Sequence, residues 1–205
     1  MMRIIRKAIR AYLHVYYRLK IVFLKTLIGK NALSYVAYEC LFPVIVLKIG
    51  KAKIGRNVHV GRWLSIHSLQ GGGFENLEIG DDVYIGRHVV MDVSDTVKIG
   101  NRSGIGTNVT IITHVNVGNS LLSSCYPPAT AGVEIGDDSV VNWGCIILKG
   151  TRISPNVIVL PGSVARGTLK EWSVYAGYPA RLVKPLKTEP SDPAAGNLEC
   201  VVPEG

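Results

Sequence analysis

The stretch V-K-I-G-N-R-S-G-I-G-T-N-V-T-I-I-T-H at positions 97–114 decides the fold, because Ile99, Ile105 and Ile111 stand six residues apart in it. A helix repeats its apolar positions every 3.6 residues and a plain strand every second residue, so neither accounts for this spacing. Outward from the stretch the same triplet recurs as Ile54, Val60, Ile66; Ile79, Ile85, Met91; Ile135, Val141, Ile147; and Ile153, Val159, Ala165. Glycine often comes next (Gly55, Gly61, Gly80, Gly86, Gly100, Gly106, Gly136), and Asn or Asp often stands three residues after the aliphatic (Asn57, Asp82, Asn108, Asp138, Asn156). Both suit bends, because they tolerate positive φ. Six residues make a short strand plus a bend with one aliphatic pointing inward. Three such sides close one turn of a triangular prism, whose turns stack as parallel strands about 4.8 Å apart. The expectation is an all-β solenoid of about five coils over residues 49–187.

The interruptions carry the functional signal. Within triplets every step is six, but between triplets the steps are 13, 8, 24 and 6 residues. All insertions therefore fall at one corner of the prism, and the largest spans 114–132. A loop thrown from one corner of a stiff scaffold is a common way to build a site, although a plain surface excursion has the same signature. His114 stands where repeat meets loop. An imidazole titrates near neutrality and can act as a general base there. Cys145 occupies a small inward position and reads as core packing rather than as a nucleophile.

Composition narrows the function classes. The 205 residues carry 23 Lys and Arg against 15 Asp and Glu, for a net charge of +8. Eight of those cations precede the first acidic residue, Glu39, and beyond it the two signs cancel. A domain that grips nucleic acid over a broad basic surface is excluded on that ground. Cys40, Cys125, Cys145 and Cys200 are widely spaced and form neither a disulfide framework nor a zinc motif, so no metal is expected. Arg18, Lys20 and Lys25 interrupt any secretory h-region. The apolar run 32–47 is too short for a span and contains Glu39 and Pro43.

Three stretches resemble the hexapeptide-repeat acyltransferases, and more narrowly their sugar and polysaccharide O-acetyltransferases. Residues 97–114 are similar to the run that leads to that family's catalytic histidine. E-I-G-D-D-S-V-V-N-W-G-C-I-I-L-K-G-T (134–151) is similar to the coil that follows its protruding loop. V-I-V-L-P-G-S-V-A-R-G-T (157–168) with Y-A-G-Y-P-A-R-L-V-K (175–184) resembles its coenzyme A-binding end, whose signature is G-x-P-A-[KR]. The resemblance, and not the period, implies a left-handed parallel β-helix. It also implies a homotrimer with active sites between subunits, acetyl-CoA as co-substrate and a saccharide acceptor; the cytoplasmic location is expected instead from the widely spaced cysteines, read as reduced thiols. By resemblance His114 is the general base, and the oxyanion donor comes from Asn142, Trp143 and Gly144 of a facing chain. Trp143 departs from the small residue common there and reads equally as a channel wall or a trimer contact. Coenzyme A is expected at Ser163, Arg166, Gly177, Pro179, Ala180, Arg181 and Lys184, although Gly167 stands where the family often has Lys. The acceptor is expected at His88, Asp92, Asp95 and Tyr126. Asp92 and Asp95 also read as ordinary turn residues.

The two ends lie outside the repeat. Residues 1–48 are expected to form an α-helical extension and cap. Within 1–28, Arg3, Arg6, Lys7, Arg10, His14, Arg18 and Lys25 form a basic stripe opposite Ile5, Ile9, Tyr12, Tyr16, Leu19 and Phe23. That pattern suits a helix on an anionic membrane surface, which would put the protein at the inner face of the cytoplasmic membrane. It suits equally a helix packed on the trimer. Residues 188–205, rich in Pro, Gly and Ala, read as a disordered tail. The leading function is saccharide O-acetylation, with surface polysaccharide or its precursor as acceptor. N-acetylation of an amino or nucleotide sugar or an antibiotic stays open, as does a non-catalytic scaffold. A zinc carbonic anhydrase on a similar solenoid would need three converging histidines, and none follows His114.

Overall fold

Each member of a hexad triplet becomes an inward residue on a different face of a three-sided parallel β-prism. The computed structural model describes residues 2–67 and 72–186; the expected tail, 188–205, lies outside them. On the first face the partners run Ile54, Ile79, Ile99, Ile135, Ile153 and Leu169. On the second they run Val60, Ile85, Ile105, Val141, Val159 and Tyr175. On the third they run Ile66, Met91, Ile111, Ile147 and Ala165. These columns are almost wholly buried and form one continuous core. Leu169 and Tyr175 extend the pattern past Ala165, where sequence reading stopped. The step from Ala165 to Leu169 is only four residues, and Trp172 rather than Asn, Asp or Gly takes the bend at φ 52°.

The turns follow rules that the sequence anticipates. At the first corner, between the first and second faces, Asn57, Asp82, Asp138 and Asn156 all have φ between 52° and 59°. Stacked coils approach so closely there that a Cβ on Gly55 would lie 2.5 Å from the Gly80 carbonyl oxygen, which is why Gly recurs beside the inward aliphatic. At this corner the coils also bond sideways. Asp81 N–H donates to Asn101 Oδ1 at 2.8 Å and Asn101 N–H to Asp137 Oδ1 at 2.7 Å. Arg56 pairs with Asp81 at 2.7 Å and Arg102 with Asp138 at 2.6 Å.

The three outer faces differ in chemistry. Outward residues of the first face form the column Lys53, Glu78, Lys98, Glu134, Arg152, alternating in sign. The second face presents His59, Tyr84, Gly104, Val140 and Ile158, and the third Ser65, Val90, Thr110, Ile146 and Val164, with no Asp, Glu, Lys or Arg.

Both ends of the prism are closed. Helix α1 (Met2–Ile28) packs on α2 (Ala32–Glu39) and α3 (Pro43–Ile49). Leu33, Val36 and Ala37 of α2 and Val46 and Leu47 of α3 join the prism core from that end. At the other end strand Ser173–Gly177 turns back through Ala180–Pro185, an antiparallel partner in an otherwise parallel sheet.

Candidate active site

His114 begins a two-residue strand that leaves the third corner, between the third and first faces. It pairs antiparallel with Ala129–Thr130, so the expected loop is a hairpin, with His114 opposite Thr130. The strand before it is anchored in the prism, since Ile112 N–H donates to Ile147 O at 2.9 Å. Thr113, fully buried, holds the backbone just before the histidine. Its N–H donates to Asp92 Oδ2 at 2.7 Å and its hydroxyl lies 2.8 Å from the same oxygen.

Asp92 is the centre of this arrangement. His114 Nδ1 is 2.7 Å from Asp92 Oδ2, while Ser94 donates its hydroxyl (2.8 Å) and N–H (3.1 Å) to Oδ1. Ser94 Oγ also lies 3.1 Å from His114 Nδ1. Burial, which leaves Asp92 only 7% exposed, favours the protonated acid, but hydrogen bonds from His114, Ser94 and Thr113 outweigh it. They hold the carboxyl below the ordinary carboxylate range. An ionised carboxylate only accepts, so the Asp92 contact assigns the ring proton to Nδ1 and leaves the Nε2 lone pair free. The His114 side chain is 39% exposed. A histidine fixed on one nitrogen and open on the other is arranged to remove a proton from a bound group.

The expectation that Asp92 contacts the acceptor is corrected: both of its oxygens serve the histidine and its supporting chain. Ser94 and Thr113, which sequence reading passed over, complete that support. Asp95 stays at the same corner, where its carboxylate accepts from Thr96 N–H and lines a groove of about 340 Å³ with Thr96, Lys98 and Gly132. Tyr126 is exposed in the hairpin loop.

His88 is elsewhere. It occupies the second corner, between the second and third faces, at φ 53°, and its ring stacks on Trp63 at 4.6 Å. The Arg62 guanidinium lies 4.7 Å over the same indole. Asn142, Trp143 and Gly144 share that corner. Asn142 N–H donates to Val159 O and Gly144 N–H to Thr107 O, both at 3.0 Å. Among the described residues the Trp143 N–H has no acceptor, and its side chain is 66% exposed. Within one chain, then, His114 and the 142–144 turn stand on different corners.

The expected coenzyme A residues divide in the same way. Arg166 is exposed at the third corner, in the turn after strand Val164–Ala165. Gly177, Tyr178, Pro179 and Ala180 form the tip of the terminal hairpin, where Gly177 pairs with Ala180 and the Tyr178–Pro179 bond is cis. Arg181 and Lys184 are exposed on the returning strand. Ser163 is corrected: it is 1% exposed, donates to Leu160 O at 2.7 Å and accepts from Gly177 N–H at 3.1 Å, so it braces the hairpin from inside. Cys145 is buried with Sγ 3.1 Å from Leu160 O, and burial pushes its thiol up, so it is a core residue. Among the described residues no group of three His, Cys, Asp or Glu is placed to hold a metal ion.

Known proteins share this architecture. A hexapeptide-repeat acetyltransferase from Vibrio cholerae complexed with acetyl coenzyme A superposes with a TM-score of 0.67 at 20% identity, covering 77% of this chain and 85% of that one. A maltose O-acetyltransferase from Clostridium difficile gives 0.67 at 20% identity over 77% and 84% of the two chains. A galactoside acetyltransferase in complex with coenzyme A gives 0.67 at 19% over 77% and 79%. In sequence, a 2,3,4,5-tetrahydropyridine-2,6-dicarboxylate N-acetyltransferase from Staphylococcus aureus is 32% identical over 71 residues. That match takes in 35% of this chain and 30% of the relative. No family model matches the sequence.

Proposed function

On the fold that the chain shares with the hexapeptide-repeat acetyltransferases, we propose that this protein transfers an acetyl group from acetyl-CoA to a hydroxyl of a saccharide, with His114 as general base. The observation that carries the reading is the 2.7 Å contact between Asp92 and His114 Nδ1. Nε2 takes the hydroxyl proton as the acceptor oxygen attacks the thioester carbonyl. The tetrahedral intermediate then collapses, the carbon–sulfur bond breaks, and the proton passes from His114 to the departing thiolate. The oxyanion formed on the way needs a donor, for which the unpartnered Trp143 N–H is suited.

Such a site joins the third corner of one copy to the second corner of another, as the homotrimer implied by resemblance would do. The uncharged second and third faces support that packing, while the alternating charges of the first face suit solvent. Arg166 from one corner and Arg181 and Lys184 from the other would then flank the coenzyme A phosphates. The stacked Trp63–His88 pair, with Asp95 across the junction, would flank the sugar. No metal enters this mechanism. A polysaccharide or its precursor is the acceptor we favour.

Thiol release from acetyl-CoA across a panel of sugars and capsule fragments tests this. His114→Ala should lower turnover by about 10²–10⁴-fold with the fold unchanged by circular dichroism. Undiminished turnover would remove His114 from the chemistry. The N-acetyltransferase match over 71 residues favours a second reading, an amine acceptor. Turnover with amino sugars and none with their hydroxyl counterparts would replace the first reading by the second.

A further inference from the structure

The helix α1 has two apolar sides, and only one is used by the protein itself. Leu13, Tyr17, Ile21 and Leu24 pack on the core shared with α2 and α3. Ile5, Ile9, Tyr12, Val15, Tyr16, Leu19, Val22, Phe23 and Leu27 are all exposed. At 3.6 residues per turn these nine fall within an arc of about 140°, on the side away from the packed residues. The sequence left two readings of this helix, a membrane surface or packing on the body. The structure gives the packing to a side that the sequence did not single out, and leaves open the whole apolar face it did.

The charges border that open arc. By the same geometry Lys7, Arg18 and Lys25 run along one edge and Lys20 along the other. The helix contains no acidic residue. It is about 40 Å long, and no helix among the described residues is long and apolar enough to cross a membrane. Among the described residues, five carboxylates that a second copy would offer to these cations, Glu75, Glu78, Asp81, Glu134 and Asp138, are already paired with Lys51, Lys53, Arg56, Arg152 and Arg102.

We propose that α1 is an interfacial helix that holds the protein on an anionic lipid bilayer. The open arc sinks into the headgroup–acyl boundary, with Lys7, Arg18, Lys20 and Lys25 reaching the anionic headgroups and the opposite side fixed to the protein. The aromatic rings Tyr12, Tyr16 and Phe23 lie in the arc where amphipathic rings favour the interface.

Sedimentation of the full chain with vesicles decides it. Binding is expected to phosphatidylcholine vesicles containing about 30% phosphatidylglycerol, to fall with salt, and to be far weaker to phosphatidylcholine alone. Leu19→Glu with Phe23→Glu should abolish it while leaving the circular dichroism and melting curve unchanged, since both side chains are open. Lys7→Glu with Arg18→Glu should weaken it at least about 25-fold, from roughly fivefold per cation. Equal binding or none to the two vesicle types would overturn the proposal, and so would binding indifferent to both variants. Self-association that Leu19→Glu with Phe23→Glu removes, in protein that does not bind vesicles, would give the face to a second copy and overturn it too.

Discussion

The first corner of the prism turns six times with the same six-residue step, while the third corner's steps of 13, 8, 24, 6 and 4 residues are all different. At the first corner side chains bond to the coil above or below: Asp81 to Arg56, Asn101 to Asp137, Arg102 to Asp138. At the third corner they bond around one histidine, and the residues that follow the inward aliphatics are His67, Asp92, Ile112, Leu148 and Arg166, never Gly. The first corner keeps the coils in register. The third corner, relieved of that duty, gathers the hydrogen-bonded cluster around His114.

Inserting two glycines at each corner breaks the comparison most directly. Placed after Asn101, they shift every inward residue downstream out of register, and the melting temperature should fall by at least about 10 °C or soluble protein should be lost. Placed after Gly118, in the hairpin, they lengthen a loop whose closure costs only tenths of a kcal/mol more, and melting should move by less than about 2 °C. Equal losses at both sites would show that the corners do not divide their work.

Asp92→Asn asks whether the third corner's hydrogen bonds serve the histidine. Without a carboxylate the Nδ1 tautomer is no longer enforced, and turnover should fall by about 10²-fold. Because native hydrogen bonds depress the Asp92 carboxyl, its contribution to stability is full above the ordinary carboxylate range and is lost as pH falls through the depressed native value. The stability gap between wild type and Asp92→Asn, read from denaturant melts, should therefore narrow as pH falls below about pH 4. A gap that widens in acid would refute the assignment.

The smallest effect belongs to the first corner's surface pairs. Asp138→Asn keeps a side chain that tolerates the bend at φ 55° but removes the charge paired with Arg102, and should lower the melting temperature by at most about 4 °C, with turnover unchanged. A larger loss would mean that these ladders bear more of the register than the inward aliphatics do.

Much of this was legible in advance because the hexad is local: one aliphatic, one bend, one column. The corner bearing the insertions and the histidine could be read from spacing alone. The support behind His114 could not, since Asp92 lies 22 residues earlier and meets the histidine only when coils stack. Read singly, Asp92 and Ser94 look like turn residues. Ser163 misled for the opposite reason, standing beside a signature while its hydroxyl faced inward. In α1 the periodicity revealed an apolar side, but the packed side of Tyr17 and Ile21 lies among the basic positions and was masked by them.

A parallel solenoid of this kind has no intrinsic length, since the top of each coil is a template for the next. Here α2 and α3 cover one end, and the reversed strand Ala180–Pro185 turns the outermost strand of the second face into a hairpin. The same hairpin presents the Gly-Tyr-Pro-Ala-Arg tip. One short reversal of the chain thus caps a strand edge that another chain could extend and, in the proposed function, presents the tip to coenzyme A, so that one dozen residues would serve both ends.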